Sequence, residues 1–407
     1  MEYKLISLIN LIYFQVGLLM SVMSALIPNM IDSYQLSYQL ASMLPFAFYI
    51  AFGFLCIPAG IANEKFSTKN VLLFSFLLAL TGALLFAVFP NYYASVVSLF
   101  IIGSSLAIIQ VSVVPLLRDT CGAENLAFHS SLNQLCYGAG AFLSPHIYSY
   151  LTSGLLDQNR DKGFIFKLLN NIIPRNYEWI SAYWLFAVLL FSTFIFISTV
   201  KFPKKKREEK ETGSGVNLQF FKSKYVILYF VALMLYASCE QGIAIWMSEF
   251  FQEYHGLDPQ TNGAAILSWY WILLSVGCLG GMLLLKLYDS RRVLAILSVF
   301  AIISFSIGLY SGTGVAKWVF PLVGLFESVM WPIILSLALN SVDKHHESLT
   351  GFLYTASIGG AFGPFIIGTF SDISGLRSSL NYIYLPLLFI AFIIFWAKPI
   401  IKNKLID

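Results

Sequence analysis

Charge is what this sequence lacks most. Only 11% of its 407 residues are Asp, Glu, Lys or Arg, less than half the share of about 25% usual in soluble domains. That is too little to cover a water-facing surface. Cysteine is sparse as well. Cys56, Cys121, Cys136, Cys239 and Cys278 are scattered without metal-ligand spacing or a disulfide framework. Four of them lie in apolar runs, where a free thiol behaves as a small hydrophobe. No Gly-x-x-x-x-Gly-Lys loop is present, so ATP coupling within the same polypeptide is unsupported. No basic–aromatic stripe points to nucleic acid, and no nucleophile, base and orienter stand in a catalytic pattern. These absences speak against an enzyme, a nucleic-acid-binding protein and a metal- or cofactor-dependent one.

What the sequence has instead is apolar length. Hydrophobic residues make up 58% of it, and Ser7–Ile31 and Val71–Phe89 each run without one charged side chain. Crossing a hydrocarbon core takes about 20 such residues, and helices satisfy their own backbone polar groups there. The pattern predicts an all-α membrane protein of twelve spans: 7–31, 39–62, 68–89, 92–117, 126–151, 181–201, 224–252, 261–287, 291–311, 315–340, 348–373 and 381–398. The first run is too long for a signal peptide and lacks a small-residue cleavage site, so it is expected to be retained as span 1. Residues 152–180 read as a polar loop after span 5. The Lys- and Arg-rich segment 202–223 reads as a charged linker between two six-helix bundles, 1–201 and 224–407. With the N-terminus inside, the internal segments hold 19 of the 25 Lys and Arg residues. The positive-inside rule therefore places both termini and the linker in the cytoplasm, in an inner (cell) membrane.

The two halves echo each other. Span 5 carries Gly140-Ala141-Phe142 followed by Pro145, and span 11 carries Gly360-Ala361-Phe362 followed by Pro364. Span 4 reads Gln110-Val-Ser-Val-Val-Pro115, and span 10 reads Glu327-Ser-Val-Met-Trp-Pro332. The second member of each pair follows the first at nearly the same distance along the chain. Nearly equal offsets in spans of equal rank point to a repeat about an axis along the membrane normal.

On these residues the chain resembles the major facilitator superfamily, and within it the fucose–proton symporter family of sugar permeases. The matching stretches are Ala25-Leu-Ile-Pro28, Gln39 to Gly60, Asn133-Gln134 with Gly140, Tyr236-Ala-Ser-Cys-Glu240, Ser268-Trp-Tyr-Trp271, Leu322 to Ser328, and Gly351 to Pro364 with its paired Gly359-Gly360. The resemblance implies two six-helix bundles around a central cavity, working by alternating access. It also has gaps. The family pattern places a carboxylate four residues before the Pro28-type proline and another five before the span-4 proline, where this chain has Ser24 and Gln110. An amide takes and gives hydrogen bonds but does not titrate near neutral pH, so proton coupling cannot simply be carried over.

Two acids lie deep in the apolar spans. Glu240 is sixteen residues into span 7 and Glu327 twelve into span 10, about 24 and 18 Å along helices of opposite direction, hence near mid-membrane. Glu327 is the counterpart of Gln110, and Glu240 stands at nearly the same displacement from Ser24. Ionisable groups at that depth are costly and mark function, so Glu240 and Glu327 are the candidate ion-coupling pair, with proton or sodium as the ion and no other cofactor. Sugars call for amides, hydroxyls and flat apolar faces. Gln110, Asn133, Gln134 and Tyr137 in the first half, and Gln241, Trp246, Trp269, Trp271, Trp331 and Tyr354 in the second, are the substrate-binding candidates. Arg118 with Asp119, Glu64, and Asp289 with Arg292 fall at the cytoplasmic ends of spans and are expected to form caps and salt bridges of the inward gate. The expectation is a monomer, embedded in lipid, that imports a small polar solute, a monosaccharide first of all, by secondary active transport. The rivals are an exporter of hydrophobic or amphipathic compounds and an uncoupled sugar facilitator.

Overall fold

A computed structural model describes residues 2–156, 164–202, 223–339, 341, 349 and 352–397, and these form helices without a strand. Among them eleven segments are long and apolar enough to cross a membrane. Span 1 is Glu2–Tyr34, span 2 Tyr38–Lys65, span 3 Thr68–Val88, span 6 Ser181–Thr199, span 7 Lys224–His255, span 8 Ala264–Leu287 and span 9 Ser290–Tyr310. Short polar residues start several of them. The side chains of Ser37, Ser67 and Asp289 accept from the backbone N–H groups of Leu40, Asn70 and Arg291, donors that no helical carbonyl can reach. Span 7 ends on Gly256, whose φ of 63° only glycine adopts freely.

Spans 4 and 5, expected as separate helices, are one uninterrupted helical run, Tyr92–Leu156. Gln110 Nε2 and Tyr137 OH nevertheless both lie 3.8 Å from the same atom, Met20 Sδ. In a straight helix residues 27 apart would be about 40 Å apart. The run therefore doubles back between them and supplies the twelfth crossing. Span 10 is the opposite case, split into Thr313–Val319, Leu322–Glu327 and Met330–Leu339. Proline explains both breaks, because Pro321 and Pro332 bring no N–H to the carbonyl four residues earlier. The carbonyl that Pro332 leaves open belongs to Ser328, and Cys278 Sγ of span 8 donates to it at 3.3 Å. Span 11 opens with a 3-10 turn, Thr355–Ile358, before Gly359–Ser374, and span 12 is assembled from short helical pieces between Leu376 and Trp396.

The repeat read from the sequence recurs in the packing. A Cβ on Gly140 would strike the Phe14 carbonyl of span 1, and one on Gly359 would strike the Met234 carbonyl of span 7. The two contacts are related by nearly the same displacement along the chain as the sequence motifs. Small residues let helix backbones approach this closely. Large apolar side chains such as Phe54, Val188 and Leu283 point outward instead, each about 65% exposed, as lipid contact requires.

One expectation is corrected. The stretch read as a polar loop contains a helix, Phe164–Ile172. Leu169 and Ile173 are buried, and the Phe166 ring sits 5.5 Å from Tyr150. Its charges drew attention away from an apolar period of three to four residues. The linker at 203–222 falls outside the described residues.

Candidate functional site

Three consecutive residues of span 7 build the centre of the site. Neighbouring residues on a helix diverge by about 100°, so Cys239, Glu240 and Gln241 reach in three directions. Cys239 Sγ donates to Glu327 Oε1 of span 10 at 2.9 Å. Tyr270 OH of span 8 donates to Glu327 Oε2, also at 2.9 Å. Glu327 is fully buried, and each of its oxygens has its own donor, an arrangement that serves a carboxylate without rearrangement. A protonated Glu327 carries a hydrogen of its own, for which neither donor, as oriented, is an acceptor. Glu240, half-buried, accepts from Tyr236 OH at 3.1 Å, one helical turn earlier, and from Gln241 Nε2 at 3.4 Å. The Gln241 carbonyl oxygen accepts from Tyr49 OH of span 2 at 2.6 Å, which carries the chain of contacts into the other half of the molecule.

Aromatic rings extend the group. Trp331 lies between Tyr236 and Tyr354, with ring centroids 5.9 Å from each. Tyr13 of span 1 is within electrostatic reach of Tyr354, and Tyr137 of both Glu240 and Tyr49. Across from them, Gln110 and Tyr137 share the Met20 sulfur. Asn133, one turn before Tyr137, is 1% exposed, yet neither its Nδ2 nor its Oδ1 has a hydrogen-bond partner. A buried amide left unsatisfied is costly, and it is the natural place for a ligand to make up the deficit. Amides, phenols, a carboxyl and flat rings gathered at mid-membrane depth suit a neutral solute rich in hydroxyl groups.

The expected site residues thus divide. Gln110, Tyr137, Gln241, Trp331, Tyr354, Glu240 and Glu327 come together through these contacts, and Asn133 stands one helical turn from Tyr137. Gln134 is exposed on the flank of span 5. Trp246 is fully buried, gives its N–H to Pro364 O at 3.0 Å, and packs edge-on against Tyr38 at 5.5 Å, so its polar atom is occupied by span 11. Trp269 is 49% exposed on span 8. Trp271 is buried against Tyr270 at 5.2 Å, its N–H unpartnered. At the end of the molecule that holds the N-terminus, Asp289 pairs with Arg291 at 3.0 Å. As N-cap of span 9, Asp289 turns towards the side chain two residues on, and Arg291 also reaches Ala397 O at 3.3 Å. The side chains of Glu64, Arg118 and Asp119 fall outside the described residues. Lys69, in the first turn of span 3, donates to Ser198 O and Val200 O at 2.7 and 2.9 Å and closes the end of span 6.

Several residues at the site were not anticipated: Tyr13, Met20, Tyr49, Tyr236 and Tyr270. Only Tyr236 left a readable signal, since it precedes Glu240 by four residues and so shares its helix face. A third enclosed acid, Glu249, lies at the opposite end of span 7 from the N-terminal side and is 7% exposed. There Tyr38 OH contacts Glu249 Oε1 at 3.2 Å and Glu253 Oε2 at 2.6 Å. The backbone N–H groups of Tyr38 and Gln39 donate to Asp372 at 2.8 and 2.9 Å. Spans 2, 7 and 11 are joined at this face. Among the described residues no group of three or more His, Cys, Asp or Glu is placed to hold a metal ion.

Comparison with known proteins completes the description. Residues 9–357 match the Major Facilitator Superfamily. A glucose/galactose transporter of Brucella abortus is 24% identical over 395 residues, covering 96% of this chain and 92% of that protein. The L-fucose-proton symporter of Escherichia coli is 23% identical over 394 residues, covering 92% and 87%. Among solved structures, FucP in its outward conformation aligns with a TM-score of 0.68 at 20% identity over 97% of this chain and 98% of that one. A bacterial homolog of the human lysosomal transporter Spinster, inward-facing and unoccupied, aligns with a TM-score of 0.78 at 12% identity over 97% and 96%.

Proposed function

This chain belongs to the major facilitator superfamily, and we propose that it is a secondary active transporter that brings a monosaccharide into the cell, coupled to a proton through Glu240 and Glu327. It is a transporter and not an enzyme, as are the relatives it resembles. The observation that carries the coupling is the run Cys239–Glu240–Gln241, which connects both mid-membrane carboxyls to the residues around the substrate path. A sodium ion is the weaker choice of partner. Both oxygens of Glu327 face hydrogens from Cys239 and Tyr270; donors pointed at a carboxylate repel a cation, whereas a proton needs only one of them to rotate and accept. No further cofactor is required.

In the working cycle the halves 1–201 and 224–407 rock about the central site, with both termini and the linker cytoplasmic in the inner membrane and one chain sufficient for transport. The contacts of Tyr38 with Asp372, Glu249 and Glu253 then close the outer face. Sugar enters between Gln110, Asn133 and Tyr137 on one side and Gln241, Trp331 and Tyr354 on the other. Polar lining of this kind counts against an exporter of apolar compounds. The test is uptake of labelled glucose or galactose into proteoliposomes under an imposed pH gradient. Wild type accumulates sugar, whereas Glu240→Gln and Glu327→Gln equilibrate without accumulating. Undiminished gradient-driven accumulation in both variants defeats the assignment.

A further inference from the structure

Gln241 is marked by the sequence as a sugar ligand, yet both of its polar atoms are already engaged within the protein. It is 4% exposed. Its carbonyl oxygen is occupied by the Tyr49 phenol at 2.6 Å, and its amide nitrogen is directed at Glu240 Oε2 at 3.4 Å. Tyr49 is held as firmly. Its ring is 3% exposed and packs against Phe48 and Phe52, with centroids at 4.9 and 6.1 Å. Beneath the contact lies Gly360 of span 11, where a Cβ would come within 2.9 Å of Tyr49 Cδ1 and 3.1 Å of Gln241 Cγ. Spans 2, 7 and 11 therefore meet at one phenol–amide hydrogen bond, and it crosses between the two halves.

A phenol O–H and a sugar O–H are equivalent donors to a glutamine carbonyl. Building on the sugar-transport reading, we propose that Tyr49 is a built-in hydroxyl that holds the sugar's place on Gln241 in the empty carrier, and that an arriving sugar hydroxyl displaces it. The exchange is even: one O–H replaces another, and Gln241 keeps a donor throughout. Its consequence is mechanical. Displacing Tyr49 frees span 2 from span 7 at the interface where the halves must part, so binding and loosening become one event. It is also selective, because a solute without a hydroxyl at that position leaves the contact closed. Gly360 is the position that gives the phenol and the amide room to meet.

The experiment is equilibrium binding of radiolabelled D-glucose and D-galactose to the purified full-length protein, for wild type, Tyr49→Phe, Gln241→Met and the double variant. Tyr49→Phe keeps the packed ring and deletes only the competing hydroxyl. A net hydrogen bond of ordinary strength corresponds to sugar binding about 2- to 10-fold tighter. Gln241→Met weakens binding, and in that background Tyr49→Phe has no further effect, as a double-mutant cycle requires of a coupled pair. Gly360→Ala, which forces the two side chains apart while keeping both, also tightens binding and covers the case of a Tyr49 variant that does not fold. Unchanged or weaker binding in Tyr49→Phe, or the same gain with Gln241→Met, overturns the proposal and leaves the sugar-transport reading intact. A folded wild type that binds neither sugar overturns that reading first, and the displacement idea with it.

Discussion

Asp372 offers the sharpest handle on the gate at the outer face. Its two carboxylate oxygens accept from the backbone N–H groups of Tyr38 and Gln39, at 2.8 and 2.9 Å, so a side chain at the end of span 11 caps the start of span 2. Asp372→Ala removes both acceptors and the negative charge facing the helix N-terminus. Loss of an N-cap costs about 0.5–2 kcal/mol, and loss of a charge at the dipole about 0.3–1 kcal/mol. The site is exposed, which favours the lower part of each range and a total of about 1–2 kcal/mol. That is a factor of about 5–30 in the population with the face open. Amide hydrogen exchange of the segment around Tyr38–Leu40 reads this directly, since protection follows the free energy of opening. Exchange should quicken by about 5- to 30-fold in Asp372→Ala, and by less in Asp372→Asn, which retains one acceptor. Exchange at the wild-type rate in Asp372→Ala would refute the view that this carboxylate holds the face shut.

Other expectations follow from the packing. Gly359→Ala drives a methyl into the Met234 carbonyl and should cost about 1–3 kcal/mol, read as a lower unfolding temperature in detergent. Gly280→Ala, which meets nothing within 4 Å, should instead leave that temperature unchanged or raise it. Lys69→Met strips the cap from Ser198 and Val200 and should speed hydrogen exchange at the end of span 6 without altering span 3 beyond its first turn. Trp331→Ala removes the ring between Tyr236 and Tyr354 and should weaken sugar binding about 3- to 10-fold, the worth of one aromatic contact. Trp269→Ala, on an exposed flank, should change binding less than twofold, and equal losses in both would remove Trp331 from the site.

How much of this was legible beforehand depended on what each feature answers to. The spans answer to lipid, which imposes length and apolarity on every helix alike, so runs such as Val71–Phe89 announced themselves. Depth in the membrane follows from counting residues, and it singled out Glu240 and Glu327. Their partners did not follow. Tyr49 lies in span 2, in the opposite half of the chain from its partner Gln241, and nothing in its own neighbourhood separates it from Phe48 or Phe52. The indoles show the same difficulty in reverse. Trp246 and Trp331 look alike in sequence, but only the fold shows that Pro364 takes the N–H of one while the other stands among the phenols. Local rules misjudged one stretch for an identifiable reason: charges between Gln158 and Lys167 hid the short amphipathic helix Phe164–Ile172. Spans 4 and 5 cross as two arms, as expected, although the helix runs on between them from Tyr92 to Leu156.

The account stands on proton movement through Glu240 and Glu327, and the most direct measurement is of the proton itself. A pH-sensitive dye sealed inside proteoliposomes reports whether adding sugar outside, with no gradient imposed, drives protons inward. Wild type should acidify the lumen in step with sugar entry. Glu240→Gln and Glu327→Gln should still exchange labelled sugar across the membrane and produce no acidification. Acidification at the wild-type rate in both variants would contradict the account at its centre.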